Sequence, residues 1–221
     1  MTNQSPVLSS VYPEPAHRPA VEAARRTQIL AAARACIAAK GYDATTIRDV
    51  ALAGGVSTGT INYYFSGKEA LLIAALEDLA RDFGHHVRAA ADQSHGDAFA
   101  GLTAIIETSL PLPDMAPRNW YLWLEFWGQA YRNPALGRIH ADLYRGWRKL
   151  IARTITRGIA AGQFQAVDAA AVARQLAGLI DGLALHCMVG DPELPAQEVR
   201  TLCLSFLRTV LQPRSEAVHA E

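Results

Sequence analysis

Between residues 21 and 211 the apolar side chains recur at every third or fourth position, and nowhere do they alternate with polar ones over the length of a strand. A period near 3.6 buries one stripe of a helix, whereas a half-buried strand needs a period of two. The pattern predicts an all-α protein of about nine helices. Glycine, proline and capping residues divide it into helices over 21–40, 46–53 and 58–64, a long one from 68, and then 97–109, 118–132, 134–161, 168–189 and 195–211. Gly41 is the expected left-handed stop after the first helix. Thr45 is expected to cap the second and Ser57 the third. Ser66-Gly67-Lys68-Glu69 has the spacing of a capping box at the head of the fourth.

The chain has 221 residues, 50% hydrophobic and 19% charged, the balance of a globular protein with a self-sufficient core. Basic and acidic residues both number 21, and residues 1–70 hold seven basic against five acidic, so net charge does not point to a nucleic acid. Pro6, Pro13, Pro15 and Pro19 mark residues 1–20 as a disordered tail, and 213–221 reads as a second one. The scattered Cys36, Cys187 and Cys203 lie in apolar helical surroundings and read as reduced core residues of a cytoplasmic protein, with no disulfide or metal site. No apolar run reaches the roughly 18 residues of a membrane span, and no signal-peptide pattern opens the chain. No Ser-His-Asp order, HExxH, paired cysteine ligands or glycine-rich phosphate loop is present, so no enzyme, metal or cofactor is expected.

The segment 45–64 meets the demands of a helix-turn-helix. Two short helices must cross at a wide angle, and Ala51, Gly54, Gly55 and Val56 supply the small residues of the turn. The second helix must lie in a major groove, and Thr58, Thr60, Asn62 and Tyr63 form its polar and aromatic outer face, with Ile61 and Phe65 turned inward.

From residue 29 to 72 the chain resembles the N-terminal domain of the TetR family. The resemblance is carried by the Gly41-Tyr42 corner, the run Thr45-Thr46-Ile47-Arg48-Asp49-Val50-Ala51, then Gly55-Val56-Ser57, Gly59-Thr60, Tyr64-Phe65 and Lys68-Glu69. Gly54 departs from it, standing where alanine is usual. The resemblance implies a double-stranded DNA operator as partner, with Thr46, Tyr64 and Lys68 on phosphates and Thr58, Thr60 and Tyr63 on base edges or flanking backbone. Gly59 would allow close approach, and Arg25 and Arg26 would reach the adjacent groove or backbone. Each has a purely structural reading beside it: caps for the threonines, a solvated helix end for Lys68, core packing for the tyrosines. Residues 21–67 form this head and 68–212 the body.

The body is rich in aromatics, with Trp120, Trp123 and Trp127 on one helical face and Tyr131, Tyr144 and Trp147 nearby. Such a stripe serves either as core or as the wall of a small-molecule pocket. The helix ending in Tyr131-Arg132-Asn133-Pro134, then Gly158, Gly162 and Phe164, then Leu179-Ile180-Asp181-Gly182-Leu183, resembles the BetI-like subgroup of the family. That implies a cationic or amphipathic effector held by Trp120, Trp123, Trp127, Tyr131 and Tyr144 through cation–π attraction, with Glu125 as the anion.

The resemblance further implies a homodimer through the last two helices, with Leu176, Leu179, Ile180, Leu183, Phe206 and Val210 at the interface. Repression is the expected mode. A ligand that shifts the fourth helix around 79–87 would alter the spacing of the two heads. His85 and His86 lie on that stretch, either as solvated residues or as a pH sensor. The rival to an effector-responsive regulator is a constitutive DNA-binding protein with a closely packed body.

Overall fold

The computed structural model describes residues 17–112 and 118–212. Among them are nine helices and no strand: α1 (His17–Lys40), α2 (Ile47–Gly54), α3 (Thr58–Tyr64), α4 (Lys68–Asp92), α5 (Ala98–Thr108), α6 (Arg118–Arg132), α7 (Pro134–Ala160), α8 (Ala169–Met188) and α9 (Ala196–Leu211). Of the two expected tails, 1–16 and 213–221 lie outside the described residues. Residues 17–20 are not tail but the first turn of α1. Pro19 is tolerated there because the first four helical N–H groups have no intrahelical acceptor.

Two caps differ from expectation. Thr46, not Thr45, caps α2: its hydroxyl accepts from Asp49 N at 3.2 Å while the Asp49 carboxylate accepts from Thr46 N at 2.9 Å. Thr45 is buried, its hydroxyl donating to Gly41 O at 2.7 Å and closing the α1–α2 corner. The box expected at Ser66 does not form. Gly67 is the cap of α4, at φ 116°, where only glycine sits without strain, and it provides no side-chain acceptor. Gly55 (φ 60°) and the Ser57 cap are as the sequence predicts.

α1 is the hub of the head. It packs on α2, α4 and α6, with Ile29, Leu30, Ala33 and Ile37 meeting Val50, Ile61, Leu71 and Leu72 in one core. Gly54 earns its place here: a Cβ on it would lie 3.2 Å from Ala32 Cβ, so glycine lets α2 end against α1, and Gln28 Nε2 donates to its carbonyl at 2.7 Å. Lys40 Nζ reaches Asp49 Oδ1 at 2.8 Å. That contact, with the Thr46 bonds, holds the Asp49 carboxyl well below the usual carboxylate range.

α4 runs from the head into the body, where α4, α5, α6 and α7 surround a second part of the core and α8 and α9 close the far side. α7 passes close to the start of α5 at Gly158, where an added Cβ would lie 2.3 Å from Phe164 Cε2 and 2.8 Å from Ala98 Cβ. Cys36 and Cys203 are buried as expected, and burial pushes the Cys203 thiol up to about 11, while Cys187 is only half-buried.

Candidate functional site

The outer face of α3 is open. Thr58, Gly59 and Asn62 are exposed and Tyr63 is 74% exposed, its ring edge-on to Tyr64 at 5.0 Å. Ile61 and Phe65 are buried behind it. Tyr64 is half-buried against the core. The Thr60 hydroxyl lies 2.9 Å from Ser57 Oγ within the helix cap, and the Thr46 hydroxyl donates to Asp49 Oδ2 at 2.7 Å. Lys68 Nζ donates to Asp43 O at 2.6 Å, bracing the α1–α2 corner from the head of α4. Arg48, on α2, is also exposed.

A cavity of about 580 Å³ lies where head and body meet. α1 contributes Ala31, Arg34, Ala35 and Ala38, and α4 contributes Leu79, Asp82, Phe83 and His86. Trp120, Trp123 and Trp127 of α6 face Leu143, Tyr144 and Trp147 of α7, and Asp181 enters from α8. The walls are fixed edge to face: Phe83 against Trp123 at 5.2 Å, Tyr144 against Trp147 at 5.6 Å, Trp120 against Trp127 at 6.0 Å. Polar groups are few. Arg34 is neutralised by Asp82 at 2.6 Å and Asp78 at 3.3 Å. Among the described residues Asp181 has no such ion pair; burial pushes its carboxyl up to about 6, although Tyr144 and Arg148 pull the other way. The Tyr144 phenol is likewise raised, by burial and then by the charge of Asp181.

The structure therefore gathers Trp120, Trp123, Trp127 and Tyr144 around one space and leaves two expected lining residues out. Glu125 does not line the cavity: it lies on the opposite side of α6 and accepts from Tyr42 N at 3.1 Å. Tyr131, 93% exposed, borders a shallow outer depression with His140 and Leu185, separated from the cavity by Trp127, Tyr144 and Asp181. Two carboxylates line the cavity, Asp82, which is paired with Arg34, and Asp181. The signal of Asp181 in the sequence is that it is the only acid within α8, in an otherwise apolar run. Of the expected interface residues, Leu176 and Ile180 are fully buried in the protomer's own core. Leu179, Leu183, Phe206 and Val210 are half-buried, next to exposed Gly178, Gly182, Leu185 and Leu202.

His85 and His86 are exposed, and His86 Nδ1 lies 2.7 Å from Asp82 O. Among the described residues no group of three or more His, Cys, Asp or Glu side chains could hold a metal ion, and no helix is long and apolar enough to cross a membrane.

Residues 29–75 match the tetR family of bacterial regulatory proteins, and residues 99–212 match the C-terminal region of BetI-type transcriptional repressors. The chain is 33% identical over 196 residues to the HTH-type transcriptional regulator BetI 2 of Chromohalobacter salexigens, an overlap of 86% of this chain and 90% of the relative. It is 30% identical to the BetI regulator of Cronobacter sakazakii over 188 residues, 85% of this chain and 91% of that one. Among solved structures, a regulator from Saccharomonospora viridis in complex with choline superposes with a TM-score of 0.76 at 30% identity, covering 86% of this chain and 98% of that chain. A TetR transcription regulator from Haloarcula marismortui gives 0.77 at 27% identity, covering 86% and 100%. Head, body and relatives agree: the chain is a transcriptional regulator of the TetR family with a BetI-type C-terminal region, and not an enzyme.

Proposed function

We propose that this regulator acts in the cytoplasm as a repressor, binding a palindromic operator as a homodimer, and that a small organic cation entering the aromatic cavity releases it. The observation that carries this reading is the position of the cavity. Its wall is built partly from α1, the hub of the DNA-binding head, and partly from body helices α4, α6, α7 and α8. An occupant there touches both units at once and bears on their relative placement.

The chemistry of the wall selects the occupant. A volume of about 580 Å³ lies within the range of roughly 300–1,000 Å³ for small-molecule sites. Aromatic faces attract a quaternary or protonated amine by about 0.5–2 kcal/mol. Asp181 supplies the counter-charge that sequence reasoning gave to Glu125. A similar regulator binds choline, and the space here accepts a cation with a further apolar part.

On the DNA side, Thr58, Gly59 and Tyr63 face the groove, and Thr46, Thr60, Tyr64 and Lys68 engage phosphate and flanking backbone. Half-sites about 34–36 Å apart require two heads related by a two-fold axis. The α8–α9 face, with Leu179, Leu183, Phe206 and Val210 between exposed glycines, is where two copies would meet.

Selection from random duplex DNA at about physiological salt tests the reading. The expected result is a palindrome recovered by the wild type and lost by Tyr63→Ala, whose thermal stability stays unchanged because the ring is largely exposed. A well-folded protein that enriches no sequence contradicts the proposal.

A further inference from the structure

We propose that Glu125 is the residue through which the cavity governs the DNA-binding head, a positioning residue that touches neither ligand nor DNA. Its carboxylate accepts from the backbone N–H of Tyr42 at 3.1 Å, across 83 residues of sequence. The approach is close enough that a Cβ on Gly41 would lie 3.2 Å from Glu125 Oε1. Gly41, at φ +83°, is the left-handed stop of α1, and the corner it begins leads directly into α2. The same corner is gripped by Lys68 from α4, and Glu69 in the first turn of α4 is met at 3.3 Å by Nδ2 of Asn133, the cap of α7 just beyond α6. The Asn133 contact ties the α6–α7 junction to α4 within the body, and the contact at Glu125 is the charge-assisted one from a body carboxylate to the head backbone.

The geometry of α6 makes this contact responsive. At 100° per residue, Glu125 lies roughly 160° around the helix from Trp127 and roughly 200° from Trp123. The tryptophans line the cavity and the carboxylate points away from it to the head. A helix is stiff in cross-section, so an occupant that displaces or rolls the tryptophan face carries Glu125 with it. A hydrogen bond to a backbone N–H is lost within a few tenths of an ångström and some tens of degrees. Released at Tyr42, the corner and α2 lose their fixed orientation relative to the body, and with them the spacing of two heads on one operator.

The proposal rests on the repressor reading above, but its first test needs no effector. Glu125→Ala and Glu125→Gln are measured beside wild type for operator affinity, by anisotropy of the selected duplex, and for amide hydrogen exchange over residues 41–46. Glu125→Ala is expected to lose roughly fivefold or more in affinity and to exchange faster at the corner, with body helices unchanged. Glu125→Gln, which keeps an acceptor, is expected to lie between it and wild type. Choline, and a bulkier quaternary ammonium such as benzyltrimethylammonium, then serve as cavity probes. Their binding, read by tryptophan fluorescence, is expected to survive Glu125→Ala, while any effect on operator affinity shrinks toward none. Both variants at wild-type affinity with wild-type exchange over 41–46 overturn the proposal. If Glu125→Ala fails to fold, Glu125→Gln decides on the same two readouts. If neither probe loosens DNA from wild type, the cationic-effector reading falls, and the ligand-free comparison still decides the role of Glu125.

Discussion

Replacing Asp181 by Asn separates what the cavity does for function from what it costs the fold. The carboxyl is raised from an ordinary 3.8 to about 6, chiefly because burial disfavours its charge. An acid raised in this way binds its proton more tightly folded than unfolded. The stability it contributes is complete below about pH 4 and is lost as pH rises through about 6, beyond which the fold carries a buried charge. Two pH units correspond to about 3 kcal/mol at most, and partial exposure of the side chain brings the realised figure nearer ~2 kcal/mol. Asn has no charge to bury and keeps an acceptor for Tyr144. Asp181→Asn is therefore expected to raise the melting temperature by about 4–8 °C at pH 7.5. The gain should narrow to less than half of that by pH 4.5. Thermal melts across pH 4.5–8 read this directly. A variant melting at or below wild type at pH 7.5, or a gain independent of pH, refutes the reasoning. The same carboxylate makes wild-type binding of a permanently charged cation pH-dependent, with about tenfold weaker binding at pH 5 than well above pH 6.

Two further changes probe the frame around the site. Gly158→Ala places a methyl 2.3 Å from the Phe164 ring and 2.8 Å from Ala98 Cβ, so α5 and α7 must separate. A loss of about 1–3 kcal/mol should appear in a denaturant melt, and wild-type stability would contradict the packing described. Thr46→Ala removes both hydrogen bonds of the Thr46 hydroxyl, the one accepted from Asp49 N and the one donated to Asp49 Oδ2, and leaves the half of the α2 capping box donated by Thr46 N. It should cost about 1 kcal/mol in the same melt, whereas the same change at exposed Thr58 should be nearly neutral.

The helices were legible because their signals are local. The 3.6-residue period, Gly41 and Gly55 as left-handed stops and Ser57 as a cap each depend on a few neighbouring residues, and each stands where the pattern puts it. The capping errors have the same origin. Thr45 and Thr46 are equally good caps by composition, and only the inward turn of Thr45 toward Gly41 decides between them. What was hidden is which neighbour each stripe meets. Glu125 stands among the tryptophans in sequence, although helical phase alone puts it on the far side of α6. Leu176 and Ile180 lie on an apolar face, as an interface residue would, but that face turns toward α7 and the protomer's own core. No period in α8 distinguishes a stripe that meets its own chain from one that meets a copy. Asp181 was visible as a solitary acid in an apolar helix. Its role needed Trp127 of α6, Tyr144 of α7 and Asp181 of α8, which are far apart along the chain, to be brought around one space by the fold.

The measurement that bears most directly on the account is the titration of a preformed complex between the protein and its selected operator duplex with choline and benzyltrimethylammonium, followed by fluorescence anisotropy at constant ionic strength. At least one of the cations is expected to release the wild-type protein in a saturable manner, whereas Asp181→Asn stays bound at the same concentrations. Undiminished operator binding by the wild type across both cations, with sodium chloride at equal ionic strength as the reference, would contradict it.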